Sequence, residues 1–209
     1  MTKITKIAII SSILFFTAGC GTAKDNTVST TTSGNDFTNQ DTKTVTTNTQ
    51  TNLAKAKVAA NAWKSDAYFA GLNFRVPGDL NPLSLSMTYI FGSNEDKDNW
   101  FTYSIDAQNK FVRAAIPKAD FLGTDLQPIQ EQYWKKSYVD ILRTADDNGG
   151  TAYKAQHPEA QTTVTLSQSA PKNWTWYVVE YRGATDAQKI RISANDGLIY
   201  NDSGILVSK

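Results

Sequence analysis

Cys20 is the one cysteine of the 209-residue chain and His157 the one histidine, so chemistry that needs a cluster of either is closed to it. A lone thiol becomes a useful nucleophile only beside a base in a structured pocket. Cys20 sits in "FFTAGCGTAKDN" at 15–26, between an apolar run and a polar stretch that offer neither. No intrachain disulfide can form. His157, in "QHPEAQ", reads as a solvated or loop-packed side chain rather than a base, because a Ser-His-Asp arrangement needs a context this stretch lacks. Glu95, Asp96 and Asp98 crowd "NEDKDN" at 94–99. Without the central glycine and distant glutamate of a calcium loop, they read as a solvated hairpin. "ADDNGG" at 145–150 reads as a helix end with a glycine stop. Phosphate loops, nucleophile elbows, zinc signatures and dinucleotide fingerprints do not appear, so no cofactor and no metal is expected. Paired carboxylates could still meet in space, as glycosidase acids do without any local motif.

Aromatic residues are more informative. In "WTWYVVEY" at 174–181, period-two alternation puts Thr175, Tyr177, Val179 and Tyr181 on one face and Trp174, Trp176 and Val178 on the other. Phe101, Tyr103 and Ile105 match the first face, which is therefore the expected core. Trp174 and Trp176 are either packed against the other half of the chain or a candidate partner surface, since exposed aromatic patches mark binding sites.

The elements that carry these residues follow a leader. Lys3 and Lys6 precede "IAIISSILFFTA" at 7–18. That run is shorter than the about 20 residues a membrane span needs, but it suits the apolar region of a secretory signal. Thr17-Ala18-Gly19-Cys20 resembles a bacterial lipobox. The resemblance implies cleavage before Cys20, diacylglycerol on its sulfur and an acyl chain, such as palmitate, on its new amino group. An ordinary cleaved signal with an idle cysteine is the alternative. Each buried methylene contributes about 0.8 kcal/mol, so two or three acyl chains anchor a protein durably. Losing residues 1–19 removes two lysines and no acid from a chain with 21 basic and 20 acidic residues, leaving a net charge near −1. That balance gives no footprint for nucleic acid and no polybasic attraction to lipid.

Residues 20–52 read as the lipidated cysteine and a disordered tether. Twelve of the 32 residues after Cys20 are Thr, and Phe37 is the sole aromatic there. Such a segment buries too little apolar surface to offset its ordering entropy. The folded part is expected from Leu53 onward, as two copies of one pattern at 53–122 and 123–209. Trp63-Lys64 recurs as Trp134-Lys135, and Leu85 in "LSLSMTYI" has a counterpart in Leu166 in "TVTLSQS". Asn99-Trp100 recurs as Asn173-Trp174, and "KFVRA" at 110–114 resembles "KIRIS" at 189–193. In each copy a helix comes first. Leu53, Ala56, Ala60, Trp63 and Ala67 form the stripe of one; Tyr133, Trp134, Tyr138, Ile141, Leu142 and Ala145 form the other, capped by Thr124 or Asp125 and stopped by Gly149-Gly150. Strands follow, the first with Leu83, Leu85, Met87, Tyr89 and Phe91 on one face, then 100–105 and about 110–116 in the first copy, and 174–181, about 188–194 and a short piece near 198–200 in the second.

Helix, strand, loop, Trp-initiated strand, turn and closing strand resemble the PepSY domain, a small module of bacterial secreted and membrane proteins. "WTWYVVEYRG", "IRISANDGLIY" and the turn Asp196-Gly197-Leu198-Ile199 carry the resemblance. It implies an α+β fold, two copies of a helix packed on an antiparallel β-sheet, and a binding or regulatory role such as restraint of a peptidase. The expected protein is a non-enzymatic lipoprotein, lipid-anchored outside the cytoplasm on the outer membrane of a two-membrane host or the cell membrane of a one-membrane host, with an envelope protein or peptide as partner. An extracytoplasmic hydrolase with a carboxylate site, or a structural component of envelope assembly, are the alternatives.

Overall fold

The computed structural model describes residues 42–76, 86–106, 110–120 and 126–208. The signal, Cys20, the tether up to residue 41, Leu83, Leu85, Thr124 and Asp125 lie outside the described residues. Helix α1 (Thr42–Trp63) opens well upstream of Leu53, inside the stretch expected to be tether. Thr49 is buried, and its carbonyl accepts the Tyr89 hydroxyl at 3.0 Å. Packing thus supports a Thr-rich turn whose own helix propensity is poor. Further along, Leu53, Ala56 and Ala60 face the core, and Trp63 stacks on Phe101 with centroids 5.4 Å apart.

The chain then forms β1 (Tyr68–Val76), β2 (Ser86–Gly92), β3 (Asn99–Ile105) and β4 (Phe111–Pro117). After a crossing segment and two short helices come β5 (Gln161–Ser169), β6 (Trp174–Arg182), β7 (Ala187–Ser193), β8 (Ile199–Tyr200) and β9 (Leu206–Ser208). Among the described residues these nine strands make one antiparallel sheet, ordered β4-β3-β2-β1-β5-β6-β7-β8-β9. Two meanders therefore lie side by side, joined where β1 pairs with β5 and Leu72 stands opposite Leu166. The molecule is α+β, with the helices on one sheet face. The expected inward residues of β2, β3 and β6, among them Tyr89, Phe101, Tyr177 and Tyr181, belong to one continuous apolar core under those helices.

Strand β1 was not expected from the sequence. It is central, buried at most positions on both sides, and carries an irregularity between Phe69 and Gly71, so no clean alternation marks it. The single helix expected between 124 and 149 is instead divided. A 3-10 turn at Glu131–Tyr133 ends in non-helical backbone at Trp134. Helix α2 (Tyr138–Ala145) starts at Ser137, whose hydroxyl accepts from the Asp140 N–H. The helical backbone breaks at Asn148 and Gly149, the latter at φ 113°, as the glycine stop predicts, and the chain turns there into a further helix, α3 (Thr151–Gln156). The left-handed backbone at Gly149 bends the chain where another residue would be strained.

The matched motifs do not fall at matching places. Asn99-Trp100 opens the third strand of the first meander, whereas Asn173-Trp174 meets the second strand of the other. The crossing segment between the meanders passes over the end of the central pair. Leu126 packs on the helix-free face with Ala70, Ile90 and Trp100, while Ile129 joins the main core. The Ile129 N–H donates to the Phe69 carbonyl at 2.8 Å, and Gln127 bridges to Gln168.

Candidate functional site

That crossing segment forms one wall of a cavity of about 470 Å³ at the end of the sheet. The β5–β6 hairpin forms the second wall and the β7–β8 turn the third. Hydrogen bonds tie all three together. Gln168 Oε1 accepts the Gln130 N–H at 3.0 Å, fixing the crossing segment to the hairpin. The Lys135 and Lys136 N–H groups both donate to the Ala194 carbonyl at 2.9 Å, and the Ala194 N–H donates to the Thr175 carbonyl at 3.0 Å. Ser193 Oγ accepts the Asn195 and Asp196 N–H groups at 3.3 and 3.4 Å, and Asp196 Oδ1 accepts the Leu198 N–H at 2.9 Å. Gly197, at φ 78°, completes this turn in a conformation that favours glycine.

The walls are polar with two aromatic rims. Tyr133 is 48% exposed and Trp174 40% exposed. Lys172 and Asn173, at φ 65° and 53°, line the cavity in left-handed backbone. Non-glycine residues held there cost of order 1–3 kcal/mol each and cluster at functional sites. Thr175, 4% exposed, forms part of the wall, and its hydroxyl oxygen is buried with no hydrogen-bond partner among the described residues. A buried hydroxyl left unpaired costs about 1–3 kcal/mol.

The two candidate tryptophans part company. Trp176 is fully buried, which corrects the picture of a shared exposed face. Its hydrogen bonds and ring contacts lie within its own meander. Its indole N–H donates to the Ser169 and Pro171 carbonyls at 3.2 and 3.3 Å, its ring lies 5.3 Å from Tyr200, and the Arg191 guanidinium stands 5.6 Å over it. Arg191 also donates to the Ala170 carbonyl at 2.7 Å. Trp176 therefore pins the hairpin loop from behind, while Trp174 reaches the cavity. Sequence alternation placed both rings on one face correctly. It could not show that Tyr200 and Arg191 cover one of them.

A second polar group surrounds the histidine. His157 stacks on Tyr153 with centroids 4.3 Å apart, and its ring nitrogens lie 3.8 Å from Glu159 and 3.7 Å from Asp186. Neither distance is a hydrogen bond. The Tyr153 hydroxyl donates to Asp186 Oδ1 at 2.8 Å and accepts the Gly183 N–H at 3.0 Å. Burial and the Asp186 carboxylate push its phenol up. Nearby, Tyr181 donates to Asp146 Oδ1 at 2.7 Å, and Lys154 lies 2.8 Å from the same oxygen. Burial and then the Asp146 charge raise the Tyr181 phenol, which stays a neutral donor. These groups fasten α3 to β6 and the β6–β7 loop.

The acidic stretch from 94 to 98 lies in the β2–β3 hairpin loop, with Asn99 opening β3, and Asp66 organises it from outside. Asp66 accepts the Ser93 hydroxyl and the Asn94 and Glu95 N–H groups, the latter two at 2.7 and 3.2 Å. Asp96 Oδ1 accepts the Asp98 and Asn99 N–H groups at 3.3 and 3.2 Å. Among the described residues no group of three or more His, Cys, Asp or Glu side chains could hold a metal ion.

No family model matches the chain, and no curated protein does. Among solved structures it is similar to a "putative lipoprotein" from Clostridium difficile 630, with 11% identity and a TM-score of 0.45 over 75% of this chain and 92% of that one. So low a likeness carries no argument about function. Among the described residues no helix is long and apolar enough to cross a membrane.

Proposed function

We propose that the chain is a lipid-anchored, extracytoplasmic binding protein whose working end is the cavity between Tyr133, Thr175 and Asn195. The signal ahead of Cys20 supports the anchor. The cavity carries the binding half of this reading: it lies in the about 300–1,000 Å³ class of small-ligand sites, and its walls are cross-tied before any ligand arrives. A protein or peptide partner docked on a Trp174/Trp176 face has less support, because Trp176 is covered. The hydrolase alternative needs two acids on one cavity, and Asp196 is the one carboxylate among these lining residues. The two meanders on either side of β1 and β5 support two PepSY-like units in one sheet, with a frame one strand away from the one the motifs suggest.

Fractionation of cells expressing the full-length protein tests the reading. Wild type should be recovered from the membrane with the mass of a diacylglyceryl group on Cys20, and Cys20→Ser should be released as a soluble extracytoplasmic protein. Envelope material retained by detergent-extracted wild type should be lost from Asn195→Arg, whose side chain fills the cavity. An unmodified sulfur in wild type overturns the anchor; equal retention by wild type and Asn195→Arg overturns the cavity as the working end.

A further inference from the structure

We propose that this cavity takes a segment of neutral, hydroxyl-rich carbohydrate, an inference that rests on reading it as the working end. The wall chemistry selects the ligand. The exposed Gln130, Asn173 and Asn195 contribute side-chain amides, which both donate and accept, as sugar hydroxyls do, while Gln168 is buried with its Oε1 taken by the Gln130 N–H. No aliphatic side chain is among the lining residues, so the cavity offers aromatic rings and polar groups but no aliphatic pocket for a Leu or Val side chain of a peptide. Strand addition is closed as well. Beside the cavity, β5 is paired on both edges by β1 and β6, and β6 by β5 and β7, so neither offers a free backbone ladder.

Neutrality follows from the two charges present. Asp196 is already used: its carboxylate accepts the Leu198 N–H and, at 3.1 Å, the Tyr200 hydroxyl. The Lys172 ammonium lies 4.5 Å over the Trp174 ring. Their signs offset, so these two lining residues present no net charge to a ligand. The half-exposed Tyr133 ring gives the apolar C–H face of a pyranose something flat to pack on, with polar groups beside it, while the Trp174 ring already carries the Lys172 ammonium over it.

The lipidated full-length protein, kept in a detergent without a sugar headgroup, is titrated with chitotetraose, cellotetraose, maltotetraose and tetra-alanine. Saturation-transfer NMR and tryptophan fluorescence report binding. At least one tetrasaccharide should bind saturably, and Tyr133→Ala should weaken it roughly tenfold, the equivalent of about 1.4 kcal/mol. Asn195→Ala, at an exposed lining position, should weaken it several-fold while melting as wild type does. Preference for chitotetraose assigns an N-acetylated, wall-type glycan; preference for either of the other two assigns a plain hexose polymer. If no tetrasaccharide binds, the carbohydrate is wrong. Tetra-alanine binding that Tyr133→Ala abolishes would then make this a peptide site and leave the binding protein intact. No probe bound, together with equal retention of envelope material by wild type and Asn195→Arg, would overturn both readings.

Discussion

Gly150 shows how closely single residues are fitted around the α2–α3 bend. A Cβ built there would fall 2.2 Å from the Tyr181 hydroxyl and 2.8 Å from Asp146 Oδ1, the two groups whose hydrogen bond fastens the bend to β6. The backbone at Gly150 is ordinary right-handed helix, φ −60°, so space and not conformation demands glycine. Gly150→Ala should therefore overpack the site and cost about 1–3 kcal/mol, seen as a lower urea midpoint with an unchanged slope. An unchanged midpoint would mean that Tyr181 swings aside freely, and the bend is looser than its contacts say. From the sequence, the two glycines read as a stop signal. That reading recognised the special backbone at Gly149 but could not foresee that Tyr181, some thirty positions on, would occupy the space beside its neighbour.

At the scale of elements, the turn between α1 and β1 controls the β2–β3 hairpin through one carboxylate. The Ser93 hydroxyl, then the Asn94 and Glu95 N–H groups, hold the Asp66 carboxyl below its ordinary value of 3.8. A folded-state value below the unfolded one means that the unfolded chain binds the proton more tightly. The contribution of Asp66 is thus fully present above about pH 4, near the unfolded carboxylate value, and is lost as pH falls through the lower folded value. Denaturant midpoints measured from pH 6 down to pH 2 should fall less steeply below pH 4 for Asp66→Asn than for wild type, although the variant is the weaker protein at pH 6. Parallel profiles would show that Asp66 is not the acid-sensitive cap. Elements with clean alternation or clear punctuation were legible in advance: β3, β4, β6 and β7 lie within a residue or two of their expected places. Others were hidden by tertiary context. Central β1 is buried on both sides, α1 is extended by the contact at Thr49, and the stripe across Tyr133 to Ala145 is continuous in sequence yet interrupted at Trp134. Of the site, Trp174 was singled out from its strand, but Tyr133, Thr175 and Asn195 come from three separate segments, and no local pattern joins them.

For the whole molecule, the question is whether two meanders behave as one body. Their motifs suggest independent copies, but the sheet runs through, and a single apolar cluster spans both, from Tyr103 on β3 to Ile192 on β7. The seam is the β1–β5 pair, where Leu72 and Leu166 face each other and both are fully buried. With the main core shared between them, neither half should keep its structure once that pair opens. Leu166→Ala removes a large side chain at the seam and should cost about 2–5 kcal/mol. Hydrogen exchange locates the loss. The slowest amides of β2 and β3 in the first meander, and of β6 and β7 in the second, should lose protection by the same amount, because they exchange through one global opening. If protection falls on β6 and β7 while β2 and β3 keep theirs, the meanders are separate folding units and the continuous sheet is only their docking. Equal loss would mean that the cavity, built from the crossing segment and the second meander, inherits its rigidity from all nine strands.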